Sequence, residues 1–389
     1  MHDTVDVDID EEAFVAPQQP ATHHGLADHE AGGTGEVSVE HADVIPLETM
    51  TTIALDVMGG DHAPQAPLSA AAHFSLKPDC PDLVLVGDKA VIASVLAQHE
   101  HDARRLRIVH APHAVAMDAD PKAALDAMPD ASIIVAARLV HAGEADALVS
   151  AGNTGAVVLA CARTWPRLPG VPRAALGAVY PTENTHGENN DPFALILDAG
   201  LTLDVNAETL VAFAVMGSAY AARISRNARP SVALLSNGSE AKKGTEAVVA
   251  AHALLLQRDD LNFVGNVEGT DIARGVVDVV VTGGFTGNIV IKMLEGVAET
   301  MQSLMRTASD ASLMNKAGLA LLLPALKELK KTTDWQQYGG APVLGFGRVC
   351  IKAHGRSSPR AIKNAIKVAR RAVESDLVNA IRMGLAPKA

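Results

Sequence analysis

Features that mark several common protein classes are scarce in this chain. Only three of its 389 residues are cysteine. Cys80, Cys161 and Cys350 show neither a CxxC motif nor Cys/His ligand spacing, which argues against a disulfide framework and a zinc site. No apolar run reaches the roughly 18 residues that a membrane-spanning helix needs, and no basic start with an apolar stretch marks a secretory signal. These absences predict a cytoplasmic protein.

Basic residues are absent from positions 1–50, which contain twelve of the 45 Asp and Glu residues and five histidines. The other 33 acidic residues balance the 33 Lys and Arg residues, so the rest of the chain is formally neutral. A neutral body argues against nucleic acid as a partner. The aperiodic segment 1–50 is predicted to be a disordered acidic extension. Metal binding by its irregularly spaced histidines and a translation start at Met50 are the alternatives.

From Thr51 onward, short apolar runs alternate with amphipathic helical segments. This pattern predicts an α/β fold, a parallel sheet whose strands are connected by crossover helices. Strong helical spacing covers 206–226 and 359–385. The candidate strands are 52–57, 82–87, 106–110, 145–150, 174–179, 193–198, 231–236, 262–266, 277–282 and 348–353.

Residues 285–333 interrupt this alternation with a long helix, a break near 307–311 and a second helix. The pattern predicts a helical insert that protrudes from the sheet. Its apolar face could pair with a second subunit or rest on a membrane surface with the help of three lysines. The three are Lys327, Lys330 and Lys331.

Two glycine-rich turns, 150–155 and 283–288, each follow a candidate strand and precede a helix, where open α/β sheets bind ligands. Glycine permits a tight turn, and free backbone N–H groups at a helix start can hold an anion. Two such turns indicate two anionic groups or one extended ligand, although each could be a purely structural turn. Their candidate binding residues are Ser150, Gly152, Asn153, Thr154, Gly155, Gly284, Thr286 and Gly287.

Two further turns carry charged or titratable side chains. Lys242 and Lys243 lie in a glycine-containing turn after a buried strand, where a lysine can face a phosphate or a carbonyl oxygen as readily as solvent. The segments after the first and the last candidate strand each contain a histidine, which is either an ordinary turn residue or a ligand contact. The candidates there are Gly59, Gly60, Asp61 and His62 after the first strand, and His354 after the last. No turn matches a dinucleotide or nucleoside-triphosphate fingerprint, and no serine elbow or catalytic cysteine signature is present.

Nine segments resemble, in order, the phosphate acyltransferase family of bacterial phospholipid synthesis. They are IALDVMGGDHAP (53–64), VSAGNTGA (149–156), LDAGLTLDV (197–205), FAVMGSAYA (213–221), KKGTE (242–246), FVGNVEG (263–269), GGFTGN (283–288), YGGAPVLGF (338–346) and IKAHG (351–355). The resemblance covers residues 52–385. It implies a homodimer with a three-layer α/β fold, a parallel-rich sheet flanked by helices, similar to the phosphotransacetylases and to the isocitrate and isopropylmalate dehydrogenases.

The resemblance also implies a reaction. Acyl-acyl carrier protein and inorganic phosphate would give acyl phosphate without a metal or organic cofactor, for a downstream glycerol-3-phosphate acyltransferase. The helical insert would touch the inner face of the membrane. Lys243 and Asn288 occupy the positions expected to be catalytic. The strand-end turns would gather their amides around one phosphate beside the thioester.

Four positions depart from the family pattern. Asp126 and Pro129 stand where basic residues are common, Thr202 replaces an asparagine, and Gly283 replaces an aspartate. The altered residues 126, 129 and 283 leave room for a non-catalytic scaffold at the membrane. A second rival is a phosphotransacetylase-like enzyme that uses acyl-coenzyme A, which shares the fold and the reversed chemistry. Basic residues on the predicted C-terminal helix either dock the acidic carrier protein or form a solvated face. They are Arg360, Lys363, Lys367, Arg370 and Arg371.

Overall fold

The computed structural model describes residues 50–186, 191–333 and 339–386, and for 325–333 it describes the backbone only. The predicted extension up to residue 49 and the side chains of Lys327, Lys330 and Lys331 lie outside this part of the chain. The strands are β1 (Thr52–Asp56), β2 (Asp82–Gly87), β3 (Leu106–His110), β4 (Ala147–Ser150), β5 (Ala175–His186), β6 (Asp191–Leu197), β7 (Ser231–Leu235), β8 (Asn262–Val267), β9 (Val279–Val281), β10 (Ala341–Leu344) and β11 (Val349–Lys352).

Helices connect most of these strands. They are α1 (Gln65–Ser75), α2 (Lys89–Leu96), α3 (Pro121–Ala127), α4 (Ser132–His141), α5 (Thr154–Thr164), α6 (Ala207–Ile224), α7 (Glu246–Leu255), α8 (Gly269–Arg274), α9 (Gly284–Asp310), α10 (Leu313–Thr333), α11 (Pro359–Glu374) and α12 (Leu377–Leu385). Polar side chains begin several of them: Asn206 accepts a hydrogen bond from the Thr209 N–H, and Ser358 from the Ala361 N–H. The predicted starts of these two helices are confirmed.

The described strands form one sheet in the order β3-β2-β1-β4-β11-β10-β5-β6-β9-β7-β8. Strands β3, β2, β1, β4 and β11 are parallel neighbours, and so are β6, β9, β7 and β8. Antiparallel pairing through β10 and β5 joins the two blocks, which therefore run in opposite directions along the sheet.

Helices cover both faces of this sheet. Ile53 and Leu55 of β1 pack with α1, α6 and α11, whereas Ala54 packs with α4 and α5. Because side chains alternate between the faces of a strand, a strand buried on both sides is a continuous apolar run. The predicted three-layer α/β architecture is confirmed.

Two predictions about elements were wrong. Strand β10 was not predicted, since it has only four residues and follows Gly339 and Gly340, both with positive φ. The helix predicted over 359–385 is two helices, because Asp376 adopts a left-handed conformation with φ 53° that ends the helical path.

The helical insert protrudes as predicted. Helix α9 buries Gly284 and Gly287 against the sheet and packs Val290, Ile291 and Leu294 on a hydrophobic cluster. Beyond these residues, the described side chains of α9 and α10 are nearly all exposed. No helix in the described ranges has both the length and the apolar character needed to cross a membrane.

Candidate functional site

The predicted site residues fall into two groups of strand-end turns. The first turn cluster consists of 57–62, 151–155 and 353–357, after β1, β4 and β11. The second turn cluster consists of 198–206, 236–245 and 282–288, after β6, β7 and β9. The two blocks of strands run in opposite directions, but the register through β10 and β5 places Ile351, near the end of β11, level with Leu197, at the end of β6. The two turn clusters therefore begin at one level of the sheet, with β10 and β5 between them.

Helix α9 links the two clusters. It starts in the second cluster at Gly284, and the Glu299 carboxylate lies 3.9 Å from the Arg356 guanidinium of the first. Fifteen residues separate Gly284 from Glu299, which is about 22 Å of helix. This separation favours the alternative of one extended ligand or two separate anionic groups.

A buried carboxylate organises the first cluster. Asp56 is 2% exposed, and its Oδ2 accepts a hydrogen bond of 2.7 Å from the Ser150 hydroxyl. The Ser150 oxygen in turn accepts the Gly152 N–H at 3.0 Å. Burial raises the Asp56 pKa, although hydrogen bonds from Ser150 and Ser132 oppose this shift. A Cβ on Gly59 would lie 2.7 Å from the Gly152 nitrogen, so these glycines permit the close approach of two turns.

Side-chain hydrogen bonds hold the turn at 150–155. The Asn153 side chain accepts the Ala156 N–H at 3.1 Å and so begins α5. Its amide group donates to the carbonyl oxygens of Met117 and Ala119 at 2.9 and 3.2 Å. The hollow beneath this turn has a volume of about 10 Å³, roughly that of one water probe. Phosphate does not fit in this hollow, and the hydrogen bonds of Ser150 and Asn153 hold the turn in place.

Lys352, the last residue of β11, is a buried residue next to the first cluster that the sequence analysis did not single out. Its side chain is 6% exposed, and its ammonium donates to the carbonyl oxygens of Ala151 and Ala353. Burial lowers its pKa to about 8, while the negative charges of Asp56 and Asp61 oppose the shift. One feature of the sequence could have drawn attention to Lys352, since it is a lysine at the end of the otherwise apolar strand VCIK. A cation buried there requires hydrogen-bonding partners.

Four predicted residues remain accessible on the first cluster: Asp61, His62, Thr154 and His354 are solvent-exposed. The His354 Nδ1 accepts the Arg356 N–H at 3.2 Å. The surrounding protein partly desolvates His354 and lowers its pKa, while the charge of Glu295 opposes this shift. These side chains can contact a ligand, whereas Gly60, with φ +112° and packed on Ala151, shapes the turn.

A second buried carboxylate organises the second cluster. Asp198 is fully buried and accepts hydrogen bonds of 2.5–3.1 Å from four backbone N–H groups. The donors are Leu176, Gly200, Leu201 and Thr202. Burial raises the Asp198 pKa, and these hydrogen bonds oppose the shift. The carboxylate thus fixes the 199–202 turn.

The 199–202 turn holds the start of α9. A Cβ on Gly287 would lie 1.9 Å from the Asp198 carbonyl oxygen, and one on Gly200 would lie 3.0 Å from the Asn288 Cβ. The backbone of α9 and the close contact with Gly200 therefore fix the position of Asn288, whose side chain is half-buried. Thr286 is exposed at the same helix start, and the Gly284 N–H donates to the Thr202 carbonyl oxygen at 2.9 Å.

Lys243 is exposed on the turn after β7. A Cβ on Gly238 would lie 2.9 Å from the Lys243 Cγ, so the lysine stem lies along this glycine. The amide of Asn266 anchors the turn through the Glu240 carbonyl oxygen at 2.9 Å. Because β6, β9 and β7 are adjacent and parallel, Lys243 and Asn288 lie at the same edge of the sheet.

Two of the departures from the family pattern have structural partners. The Thr202 hydroxyl donates to the Ala174 carbonyl oxygen at 2.9 Å. Asp126 forms an ion pair with Arg163, whose guanidinium lies 2.7 Å from the carboxylate. These contacts do not direct either side chain toward Asn288 or Lys243. Thr202 and Asp126 therefore stabilise the structure locally.

The basic residues of α11 are occupied by neighbouring elements. The Lys367 ammonium lies 3.7 Å from the Asp79 carboxylate and 5.5 Å from the centre of the Phe74 ring. Arg370 donates to the Asp79 carbonyl oxygen, and Arg371 to that of Ile224. These contacts favour a structural role for this helix face over a docking patch.

Comparisons with known proteins agree with this architecture. A family model described as fatty acid synthesis protein matches residues 51–380. A phosphate acyltransferase of Myxococcus xanthus is 44% identical over 319 residues, 82% of this chain and 88% of its own length. One from Pelotomaculum thermopropionicum is 40% identical over 337 residues, covering 86% and 94%.

Among solved structures, a phosphotransacetylase from Streptococcus pyogenes has a TM-score of 0.57 at 18% identity, covering 84% of this chain and 95% of its own. The EutD phosphotransacetylase from Staphylococcus aureus has a TM-score of 0.56 at 16% identity, covering 83% and 94%. At these identities the similarity extends to the fold alone.

Proposed function

Because the chain belongs to the phosphate acyltransferase family and is an acyl-transferring enzyme, we propose that it moves the acyl group of acyl-acyl carrier protein onto inorganic phosphate. The products would be acyl phosphate and free carrier protein. The acyl phosphate would serve a glycerol-3-phosphate acyltransferase in phospholipid synthesis. The observation that supports this most directly is that Lys243 and Asn288 share one sheet edge.

The proposed chemistry needs no strong base. Phosphate is partly dianionic near neutral pH, and one of its oxygens would attack the thioester carbonyl carbon. The Asn288 amide and the Lys243 ammonium would donate to the oxyanion that develops, each worth about 3 kcal/mol by analogy with other oxyanion holes. Collapse of the tetrahedral intermediate would break the C–S bond and release the carrier thiolate, which takes a proton from solvent.

The phosphate must reach the carbonyl that Asn288 contacts. We place it at the start of α9, beside Thr286, where backbone N–H groups and the helix dipole attract an anion. Glu295, near His354, is seven residues beyond Asn288, about 10 Å of helix. Asp61, His62, Thr154 and His354 would therefore contact a remote part of an extended substrate.

Direct assay of the reaction tests this proposal. Purified protein is expected to cleave the thioester of palmitoyl-acyl carrier protein only when phosphate is present, with acyl phosphate as the product. Preference for acetyl-coenzyme A would support a phosphotransacetylase-like enzyme instead. Absence of thioester cleavage with either substrate would support a non-catalytic scaffold.

The apolar stripe of α9 supports a further part of the proposal, a homodimer. Its large side chains recur every four residues and are each at least half exposed, a surface that a partner would cover. They are Phe285, Ile289, Met293, Val297 and Met301. Contact with the inner face of the membrane is the alternative, and a cytoplasmic location of the enzyme is compatible with both.

Substitution of this stripe separates the two interpretations. Met293→Ser with Val297→Ser is expected to convert a dimer into a monomer at micromolar concentration, measured by sedimentation equilibrium. The exposed pair Glu299→Gln and Lys316→Gln is the control for altered helix surface. If the variant stays dimeric but no longer floats with anionic vesicles, the stripe binds membrane.

A further inference from the structure

A groove of about 570 Å³ opens next to the second turn cluster. Its volume is in the range of about 300–1,000 Å³ that small-molecule sites occupy. Five of its seven lining residues are polar or charged. The lining residues are Arg167, Pro172, Arg173, Asp204, Val205, Asn206 and Thr209.

Both walls of this groove are fixed by hydrogen bonds. The segment 166–174 is tied to the turn between β10 and β11, where the Leu168 N–H donates to Gly345 and the Gly347 N–H donates to Pro166. The Arg167 guanidinium donates to the Pro172 carbonyl oxygen and is held over its own loop. The opposite wall is the start of α6. There the Asn206 side chain accepts both the N–H and the hydroxyl of Thr209.

The groove adjoins the start of α9. A Cβ on Gly283 would lie 2.9 Å from a methyl group of Val205, a lining residue. Thr202 joins the two regions, since its hydroxyl donates to Ala174 and its carbonyl oxygen accepts the Gly284 N–H. The groove therefore lies next to the start of α9, which carries Asn288.

The charge of the lining selects the ligand class. Arg167 and Arg173 are exposed and form no ion pair with any described residue, while Asp204 is the single acid of the lining. Guanidinium groups bind phosphate esters through paired N–H donors. The cationic excess of the groove fits an anionic, elongated ligand.

We infer that this groove binds the phosphorylated arm that carries the thioester of the substrate, with Arg167 and Arg173 on the phosphate ester. The inference rests on the proposed function, because it needs a substrate whose thioester lies at Asn288. In the bound substrate, the acyl chain would then extend from the reaction centre along α9, and the arm would extend toward α6. The same arginines could instead take free phosphate, which the experiment distinguishes.

The test replaces both arginines, Arg167→Gln with Arg173→Gln. We expect the KM for palmitoyl-acyl carrier protein to rise about tenfold or more and the KM for phosphate to stay unchanged. Asp204→Asn should lower the KM for the carrier substrate, because it removes a repelling carboxylate. The matched control is Arg223→Gln with Arg229→Gln, at the far end of α6 and before β7, and it should match the wild type.

Binding without turnover completes the test. The double variant should bind holo-carrier protein about tenfold more weakly than the wild type does, whereas binding of apo-carrier protein, which lacks the arm, should not change. A rise in the phosphate KM alone would show that the groove holds free phosphate, and unchanged carrier binding would overturn the inference. The double variant could bind holo-carrier protein more weakly while the wild type forms no acyl phosphate. In that case the proposed reaction is wrong, and the assignment of the groove to the arm still holds.

Discussion

Replacing Asn288 with alanine is expected to lower turnover about a hundredfold, in line with the loss of one oxyanion-hole donor. The side chain is half-buried, and its place is set by the backbone of α9 and by the contact with Gly200. Truncation should therefore remove a donor and leave the helix start intact. The measurement is turnover at saturating phosphate and acyl carrier substrate, with circular dichroism to confirm folding.

The companion variants sharpen this result. Asn288→Asp keeps the shape but loses the donor, so it should be as inactive as the alanine variant. Lys243→Ala should also lose about two orders of magnitude, whereas Lys242→Ala, on the adjacent exposed residue, should remain near the wild type. Activity retained by the aspartate variant, or equal losses at the two lysines, would contradict the proposed oxyanion contacts.

Lys352→Met is expected to lower the free energy of unfolding by about 3 kcal/mol, because it leaves two carbonyl oxygens without their buried donor. It also removes the positive charge near Asp56 and Asp61. Urea denaturation at pH 7 measures the loss. Lys316→Met, at an exposed lysine whose carboxylate partner is Asp310, is the control and should change stability little.

The pH dependence of this loss follows from the lowered pKa of Lys352. The folded protein releases the lysine proton at about pH 8, whereas the unfolded chain retains it up to the ordinary value of 10.5. Between these values the unfolded state binds more protons, so this group makes stability rise with pH. The wild type should therefore gain stability relative to Lys352→Met as the pH rises from 8 toward 10.5. A constant difference across that window would count against the buried ammonium.

A second substitution tests the coupling between the two buried charges. Adding Asp56→Asn to Lys352→Met should recover part of the lost stability, since it removes a carboxylate that burial already disfavours. Additive losses would mean that the two groups act independently.

Sequence patterns predicted most of the fold because burial on both faces makes a strand uniformly apolar. The strand at 147–150 and the start of α6 at Asn206 illustrate this, since apolar runs and capping residues are local signals. The break at Asp376 could not be read in the same way, because the apolar spacing continues through it. The importance of Asp56, Asp198 and Lys352 was equally hidden, since each ends a strand and its partners come from distant segments.

The candidate site shows the same division. Glycine-rich turns with Lys243 and Asn288 were recognisable along the chain, because such turns need particular residues at particular positions. Their grouping was not, since it depends on the direction and the register of the two blocks of strands that β10 and β5 join. The order of residues thus determined the family, the layers and the chemistry-bearing turns. Only the tertiary structure decided which turns share an edge, which amides are consumed internally and where an open groove remains, because these depend on contacts between segments far apart in the chain.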